Sequence, residues 1–245
     1  MRAETAGFEK ASHEYERGRP GYPPETVEWI VETAGLGEGT TVVDLAAGTG
    51  KLTRELVGTR AAVIAVEPLD AMRARLVDSL PGVSAVKGSA EATGLEDGVA
   101  DAVTIAQAFH WFAGDEALAE VERVLREEGL LFLVWNRRDL SDPTQVAISR
   151  LTAPHIGDAP AYGSGQWRQV MEASTRFVPV AEHRARHLQI VDRTGIVDRV
   201  ASTSYIANLA EEVRLPLLEN IASLVPEGET AGLSYVTDAY AYHRA

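Results

Sequence analysis

The sequence predicts an α/β fold built on a mostly parallel sheet, and three observations predict it. Residues 40–136 alternate short β-rich runs with amphipathic helical stretches, the pattern of parallel strands joined by crossover helices. The first β-rich run closes on an acid, Asp44, and opens through a glycine turn into a helix: "VVDLAAGTGKLTREL", residues 42–56. The second, "AAVIAVE" (61–67), also closes on an acid, Glu67.

The elements follow in order. Strands are expected at "TTVVDLA" (40–46), "AAVIAVE" (61–67), "GVSAVKG" (82–88), "ADAVTIAQA" (100–108) and "GLLFLVWN" (129–136). After the first, Leu52 and Leu56 stand i, i+4 on a helix that Gly58 stops. Asp70 is placed to cap "AMRARLVDSL", with Met72, Leu76 and Leu80 on one face and Pro81 ending it. Asp115 is placed to cap "EALAEVERVLREEG", whose stripe is Leu118, Val121 and Leu125. After Asn136 the alternation stops. Residues 139–175 read as turns ("SDPTQ", "TAPHIGDAPAYGSGQW"), and 193–225 as helical with Leu209, Val213, Leu217, Ile221 and Leu224 near one face. Pro216 falls in a first turn or a kink there. "RFVPVAEHRARHLQIV" (176–191) and "LSYVTDAYAYHR" (233–244) read as late strands. No linker marks a boundary, so the expectation is one domain: N-terminal cap helices over 1–38, a ligand-binding core over 39–138, a lid with a late strand over 139–230, and a terminal strand over 231–245.

Composition narrows the classes. A 45% hydrophobic content over 245 residues supports a large core. No apolar run is long enough to cross a bilayer. The charged start "MRAETAGFEKASHEYERGRP" lacks the apolar stretch of a secretory signal, so a cytoplasmic location is expected. The absence of cysteine excludes disulfides, thiolate nucleophiles and cysteine-bound zinc. A net charge of −13 and a pI near 4.9 disfavour nucleic acid and anionic membrane as partners. The basic stretch "HRARH" (183–187) reads as the exposed face of a strand. In a strand the i, i+4 spacing of His183 and His187 does not converge on a metal, and no metal is expected. Oligomeric state is not legible.

The glycine turn carries the ligand chemistry. Gly48 and Gly50 permit tight backbone geometry and close approach of a ligand. Glu67 stands 17 residues after Gly50, where an acid accepts the two hydroxyls of a ribose. Together these read as an adenosine-containing ligand at the carboxyl edge of the sheet. NAD fits less well: in the frame "GTGKLT" the third glycine of its fingerprint is Thr53. No P-loop is present. A ribose without a phosphate suits the set better, and S-adenosylmethionine is such a ligand. Ala46, where many such loops have glycine, reads as a tolerable departure.

With these motifs in order, "VVDLAAGTGKLT", "VIAVEP", "GSAEATGLEDGVADAV", "AQAFHWF" and "RVLREEGLLFLVWNRRD", the chain resembles class I S-adenosylmethionine-dependent methyltransferases. It most resembles their small-molecule branch, which includes ubiquinone/menaquinone- and trans-aconitate-type enzymes. "YERGRPGYP" (15–23) fits the same branch. The resemblance implies a Rossmann-like seven-stranded, mostly parallel sheet with a reversed last hairpin, helices on both faces and a helical lid insertion. It implies that Asp44 and the 46–50 loop (Ala46, Gly48, Gly50) flank the methionine and ribose, that Glu67 holds the ribose, and that Pro68, Leu69 and Met72 line the adenine. It places Ser89, Ala90 and Glu91 at the adenine edge. It sets the Ala106 carbonyl toward the cofactor's amino group, with Gln107, Phe109, His110, Trp111 and Phe112 between cofactor and acceptor. Aromatic faces stabilise a sulfonium by about 0.5–2 kcal/mol in a dry site. At least one of these rings, first of all Phe112, is expected simply to pack the following helix.

Methyl transfer from sulfur is an in-line displacement, catalysed largely by positioning and desolvation. His110 stands where a base for an oxygen or carbon acceptor is needed, with a hydrogen-bonding wall residue as the equal alternative. Tyr15 and Arg19 are expected at the cofactor, Arg19 on its carboxylate or on an acidic acceptor. Tyr22, Trp135, His155, Trp167 and Tyr205 are expected along the acceptor pocket. Two other functions stay open at this level: a cofactor-binding protein of the same fold that transfers no methyl, and an NAD-dependent oxidoreductase.

Overall fold

The computed structural model describes residues 17–157 and 162–245. It divides into two compact units. One, the loop unit, comprises Tyr22–Asn136, Pro160–Ala185 and Thr237–Ala245; the second comprises Met1–Gly21, Arg137–Ala159 and Arg186–Val236. Tyr15 lies outside the described residues. None of the described helices is long and apolar enough to cross a membrane.

The loop unit contains α1 (Pro24–Ala34), β1 (Thr41–Leu45), α2 (Lys51–Val57), β2 (Ala62–Val66), α3 (Asp70–Ser79), β3 (Ser84–Val86), β4 (Ala100–Ala106) and α4 (Asp115–Val124). It also contains most of β5 (Leu125–Arg138), then α6 (Gln166–Ala173), and parts of β6 (Phe177–Asp192) and β7 (Thr230–Arg244). The seven strands lie in the order β3-β2-β1-β4-β5-β7-β6. β1 pairs in parallel with β2 and β4, β2 with β3, and β4 with β5. β7 runs against β5: Asn136 accepts from the Thr237 hydroxyl, while Asp139 N–H donates to the Ser234 carbonyl, so one chain rises as the other falls. This is the mostly parallel sheet with a reversed last hairpin.

The central parallel strands β1 and β4 are buried on both faces and read as Val, Ile, Leu and Ala runs broken only by Asp44, Asp101 and threonines. One face packs Val43, Leu45, Val103, Ile105 and Leu131 against Leu118, Val121 and Val124 of α4. The other packs Val42, Ala102, Phe132 and Val134 against Ile30 of α1 and Leu52 and Leu56 of α2. Helix α1 begins with a proline in its first turn and ends on Gly35 in the left-handed region, whose N–H reaches back to the Glu32 carbonyl.

Several local expectations are corrected. Asp70 and Asp115 are not caps: Leu69 and Gly114 hold those positions, and each acid is the first helical residue. There each still meets the positive end of the helix and pairs with a cation, Asp70 with Arg73 and Lys87, Asp115 with Arg176. Helix α4 stops at Val124, although "LREEG" has good helix formers. Leu125 is fully buried beside Ala100 in the sheet, and a bulge then brings Leu130 beside Ala102. Burial of Leu125 in the ladder outweighs helix propensity there.

The second unit holds α5 (Pro143–Thr152), α7 (Arg193–Ala201), α8 (Ser204–Ala207) and α9 (Glu211–Ala222) around a core of Ile148, Ile196, Val200, Ile206, Leu217, Ile221 and Leu233. Helix α5 lies where turns were expected. "SDPTQ" is in fact a helix start: the Asp142 carboxylate accepts from the N–H groups of Thr144 and Gln145, and Pro143 follows it at the first helical position. Helix α6, in the loop unit, was also missed among turn-rich sequence. Pro216 lies inside α9, and Val213 faces solvent; the buried face is Leu217, Ile221 and, beyond the helix, Val225. "HRARH" is strand as expected, within β6, with Arg184 and Arg186 exposed and Ala185 buried between them.

Candidate active site

Register brings one set of strand ends together in the loop unit. Leu45, Val66 and Val86 are direct neighbours across β1, β2 and β3, and Asp44 neighbours Thr104 of β4. The residues that follow these strands therefore gather at the carboxyl edge: Ala46–Gly50 after β1, Glu67–Leu69 after β2, Ser89 and Ala90 after β3, Gln107 after β4. Strand order leaves β1 by opposite sides toward β2 and toward β4, the switch point where open α/β sheets bind ligands.

The loop after β1 has three left-handed residues, Ala46 at φ +58, Gly48 at φ +60 and Gly50 at φ +85. A Cβ at Gly50 would lie 3.0 Å from Leu76 of α3 and from Leu80 just after it, so glycine is needed there for both backbone and space. Glu67 is the organising acid. It is buried; its Oε2 accepts from Gly48 N–H at 2.8 Å and its Oε1 from Leu69 N–H at 2.9 Å. Burial raises its pKa, and the two N–H groups oppose that shift. Each carboxylate oxygen keeps a further acceptor site beside its one N–H partner, which is what a vicinal diol needs. The Thr49 hydroxyl, buried in the same loop, has no hydrogen-bond partner among the described residues.

Asp44 is 1% exposed. Its carboxylate accepts from the Thr53 hydroxyl at 2.6 Å and the Thr104 hydroxyl at 3.0 Å, and burial pushes its pKa up to about 6. Thr53, which breaks the dinucleotide fingerprint, thus ties α2 to the end of β1. Thr104 was missed because nothing local distinguishes it from the other β-branched residues of its strand.

Residues 43–133 match the model of the family described as "Methyltransferase domain". An uncharacterized methyltransferase of Mycobacterium bovis is 36% identical over 222 residues, covering 90% of this chain and 86% of its own. The chain belongs to the class I methyltransferase family. A ubiquinone/menaquinone biosynthesis C-methyltransferase of Hahella chejuensis is 30% identical over 171 residues, 63% of this chain and 67% of that one. Among solved structures, a protein assigned as a type II methyltransferase from Anaeromyxobacter dehalogenans superposes with a TM-score of 0.67 at 19% identity, covering 92% of this chain and 97% of that one.

The remaining residues expected at the methyltransferase site fall into two groups. Pro68 and Glu91 are exposed, and Leu69, Ser89, Ala106, Gln107, His110 and Trp111 half-buried, all in the loop unit. Gln107 is a left-handed residue (φ +59) whose N–H donates to the Val134 carbonyl and whose Nε2 donates to the Asn136 carbonyl. The second group is buried. Phe109 is 0% exposed and packs edge-on to Phe112, which is itself partly buried against the core cluster that holds Leu118 and Val121 of α4. Met72 is buried, as is Ala90. Tyr22, expected along the acceptor pocket, packs with Ile30 and Val42 in the core. Trp135 and Trp167 stack on each other with ring centres 4.4 Å apart, flanked by Tyr162 and Tyr240, and both are buried. Trp135 Nε1 donates to His110 Nδ1 at 3.2 Å, which fixes the His110 ring.

Arg19, His155 and Tyr205 belong to the second unit. The Arg19 guanidinium donates to the hydroxyl and carbonyl of Ser202, and Arg17 pairs with Asp198. Gly18 lies so close to α7 that a Cβ would sit 2.4 Å from Arg199 N. "RGRP" is thus a clasp on α7, and Arg19 is engaged there rather than held out toward a ligand. His155 and Tyr205 are half-buried.

Proposed function

We propose that this methyltransferase holds S-adenosylmethionine at the carboxyl edge of β1, β2, β3 and β4 and methylates an oxygen or carbon of a small molecule. The observation that carries this is Glu67: a buried carboxylate pinned by one N–H on each oxygen, each oxygen with acceptor capacity left, beside a left-handed glycine loop. Gly48 and Gly50 let the backbone approach the cofactor, Glu67 accepts the ribose hydroxyls, Pro68 and Leu69 offer an apolar wall to the adenine, and Ser89 accepts at its edge. When bound, the cofactor supplies a methyl group on a sulfonium, ready for in-line displacement.

His110 accepts from Trp135 at Nδ1, so its neutral ring carries the proton on Nε2. That nitrogen is a donor. It favours a positioning role, a hydrogen bond to the acceptor, over proton removal. Trp111, half-buried beside it, supplies a ring face. The relative named as a C-methyltransferase of ubiquinone/menaquinone biosynthesis supports a carbon acceptor as one form of the reaction.

The test is titration calorimetry with S-adenosylhomocysteine and NAD, followed by transfer of labelled methyl to candidate small molecules. Glu67→Gln places an NH₂ against one of two N–H donors, and a 10- to 100-fold loss of S-adenosylhomocysteine affinity is expected, about 1.5–3 kcal/mol. Binding of NAD without S-adenosylhomocysteine would overturn the proposal, and so would an unchanged affinity in Glu67→Gln.

A further inference from the structure

We infer that Glu120 of α4 is a positioning residue for base recognition: through Thr93 it fixes the turn that follows β3, and the fixed turn makes the site select adenine over other purines. The adenine rests on the function proposed above; the geometry of the turn rests on the loop unit alone.

Thr93 is 1% exposed, and both its N–H and its hydroxyl donate to Glu120 Oε1, at 2.8 Å and 2.6 Å. Arg123, three residues on in the same helix, holds that carboxylate from the other side. Its Nη2 donates to Oε1 at 2.7 Å and its Nε to Oε2 at 2.8 Å, while its Nη1 donates to Asp97 at 2.6 Å. Hydrogen bonds to an ionised group are about twice as strong as neutral ones. The Arg123 guanidinium, with the Thr93 donors, brings the Glu120 carboxyl down to about 2 against the opposing effect of burial, so it is ionised near neutral pH.

The turn takes its position from Thr93. The chain leaves β3 through Gly88 and passes back across it at Thr93, so closely that a Cβ on Gly88 would lie 2.4 Å from the Thr93 carbonyl oxygen. Between them, Ser89 N–H donates to the Ala92 carbonyl at 3.0 Å and Ala92 N–H to the Ser89 carbonyl at 3.3 Å. Ala90, at the tip, is 6% exposed, and its N–H has no acceptor among the described residues.

This sequence needs a fixed backbone at that place. Ser89 is the side chain expected at the adenine edge. Its hydroxyl accepts from an amino group or donates to an oxo group, so by itself it does not tell adenine from hypoxanthine. A backbone N–H only donates. Held toward the ring nitrogen beside the exocyclic group, it pairs with the lone pair of adenine and opposes the N–H of hypoxanthine. A donor left unpaired in this way is what rejects the wrong base. Selectivity then depends on how firmly the turn holds the Ala90 N–H, and the Thr93 bonds to Glu120 hold the turn.

The experiment uses the full chain and calorimetry with S-adenosylhomocysteine and S-inosylhomocysteine, in which hypoxanthine replaces adenine. Wild type, Glu120→Ala, Glu120→Gln and Thr93→Val are compared, with thermal unfolding and amide hydrogen exchange on each. The wild type should prefer the adenine ligand by about tenfold or more. Glu120→Ala should bring the preference within about threefold, through weaker binding of S-adenosylhomocysteine, and should speed exchange of the Ser89 and Ala92 amides. Glu120→Gln keeps an amide oxygen for Thr93 but loses the ion pair with Arg123, so Tm should fall while the preference stays near that of wild type. Thr93→Val removes the hydroxyl alone and should lower the preference several-fold; it carries the test where Glu120→Ala does not fold. A wild type without the preference, a Glu120→Ala or Thr93→Val that retains it in full, or a preference that falls with Tm across all three variants overturns the inference, and leaves the function proposed above standing. Failure of the wild type to bind S-adenosylhomocysteine overturns that function and this inference with it.

Discussion

Asp44→Asn should change how stability depends on pH, by an amount the structure sets. The Asp44 carboxyl titrates at about 6 when folded, against an ordinary value of 3.8, because burial outweighs the hydrogen bonds from Thr53 and Thr104. The folded state therefore binds the proton more tightly than the unfolded chain. Stability from this group is greatest below about pH 4, falls as pH rises from about 4 to about 6, and is level above that. A shift of about two units corresponds to about 3 kcal/mol. Asparagine has nearly the same shape and does not titrate. Urea unfolding followed by circular dichroism at pH 4, 5, 6 and 7 gives the difference between variant and wild type, in which other titrating groups largely cancel. That difference should move in favour of Asn by about 2.4 kcal/mol between pH 4 and pH 7, the rest of the shift lying below pH 4. Thr53→Val, which removes a bond that holds the carboxyl ionised, should extend the falling range to higher pH. A difference that stays flat, or moves the other way, would refute the account of Asp44 as a carboxyl dominated by burial.

Three further outcomes follow from the same loop and its surroundings. Ala46→Gly removes a left-handed strain of about 1–2 kcal/mol and adds unfolded-chain entropy of about 0.5–1 kcal/mol, so the denaturation midpoint should hold or rise slightly; a loss above about 1 kcal/mol contradicts the left-handed backbone there. Gly50→Ala should cost about 1–3 kcal/mol, since it meets Leu76 and Leu80 at 3.0 Å with φ at +85. Nitrogen NMR should find neutral His110 protonated on Nε2, and Trp135→Phe should mix the two tautomers; protonation on Nδ1 in the wild type would restore the base role.

Much of the loop unit was legible because its signals are local. Strands at the centre of a sheet covered on both faces are mostly apolar, so Val42, Val43 and Leu45 announce β1, and the Ala62–Val66 run, buried at Ala65 and Val66, announces β2. A chain that turns sharply from strand to helix needs left-handed residues, so Gly48 and Gly50 do as well. Glu67 was readable from its spacing to that loop. Helix ends were read less well: Asp70 and Asp115 were each placed one position early, because an acid serves equally at the cap and in the first turn. Asp142 was overlooked for the opposite reason, since Asp-Pro is as common in turns as at helix starts.

What the sequence determined by itself was the α/β class, the glycine loop and its acid, and the family they belong to. Each depends on neighbours within about 20 residues, where residue type and period carry the physics. Only the tertiary structure decided that Thr53 and Thr104 hold Asp44, that Phe109 lies wholly inside the core with Phe112 packed against it, and that Arg19 clasps Ser202. Partners distant in sequence are chosen by packing and charge in three dimensions, and no local pattern records which hydroxyl, ring or guanidinium a side chain will meet.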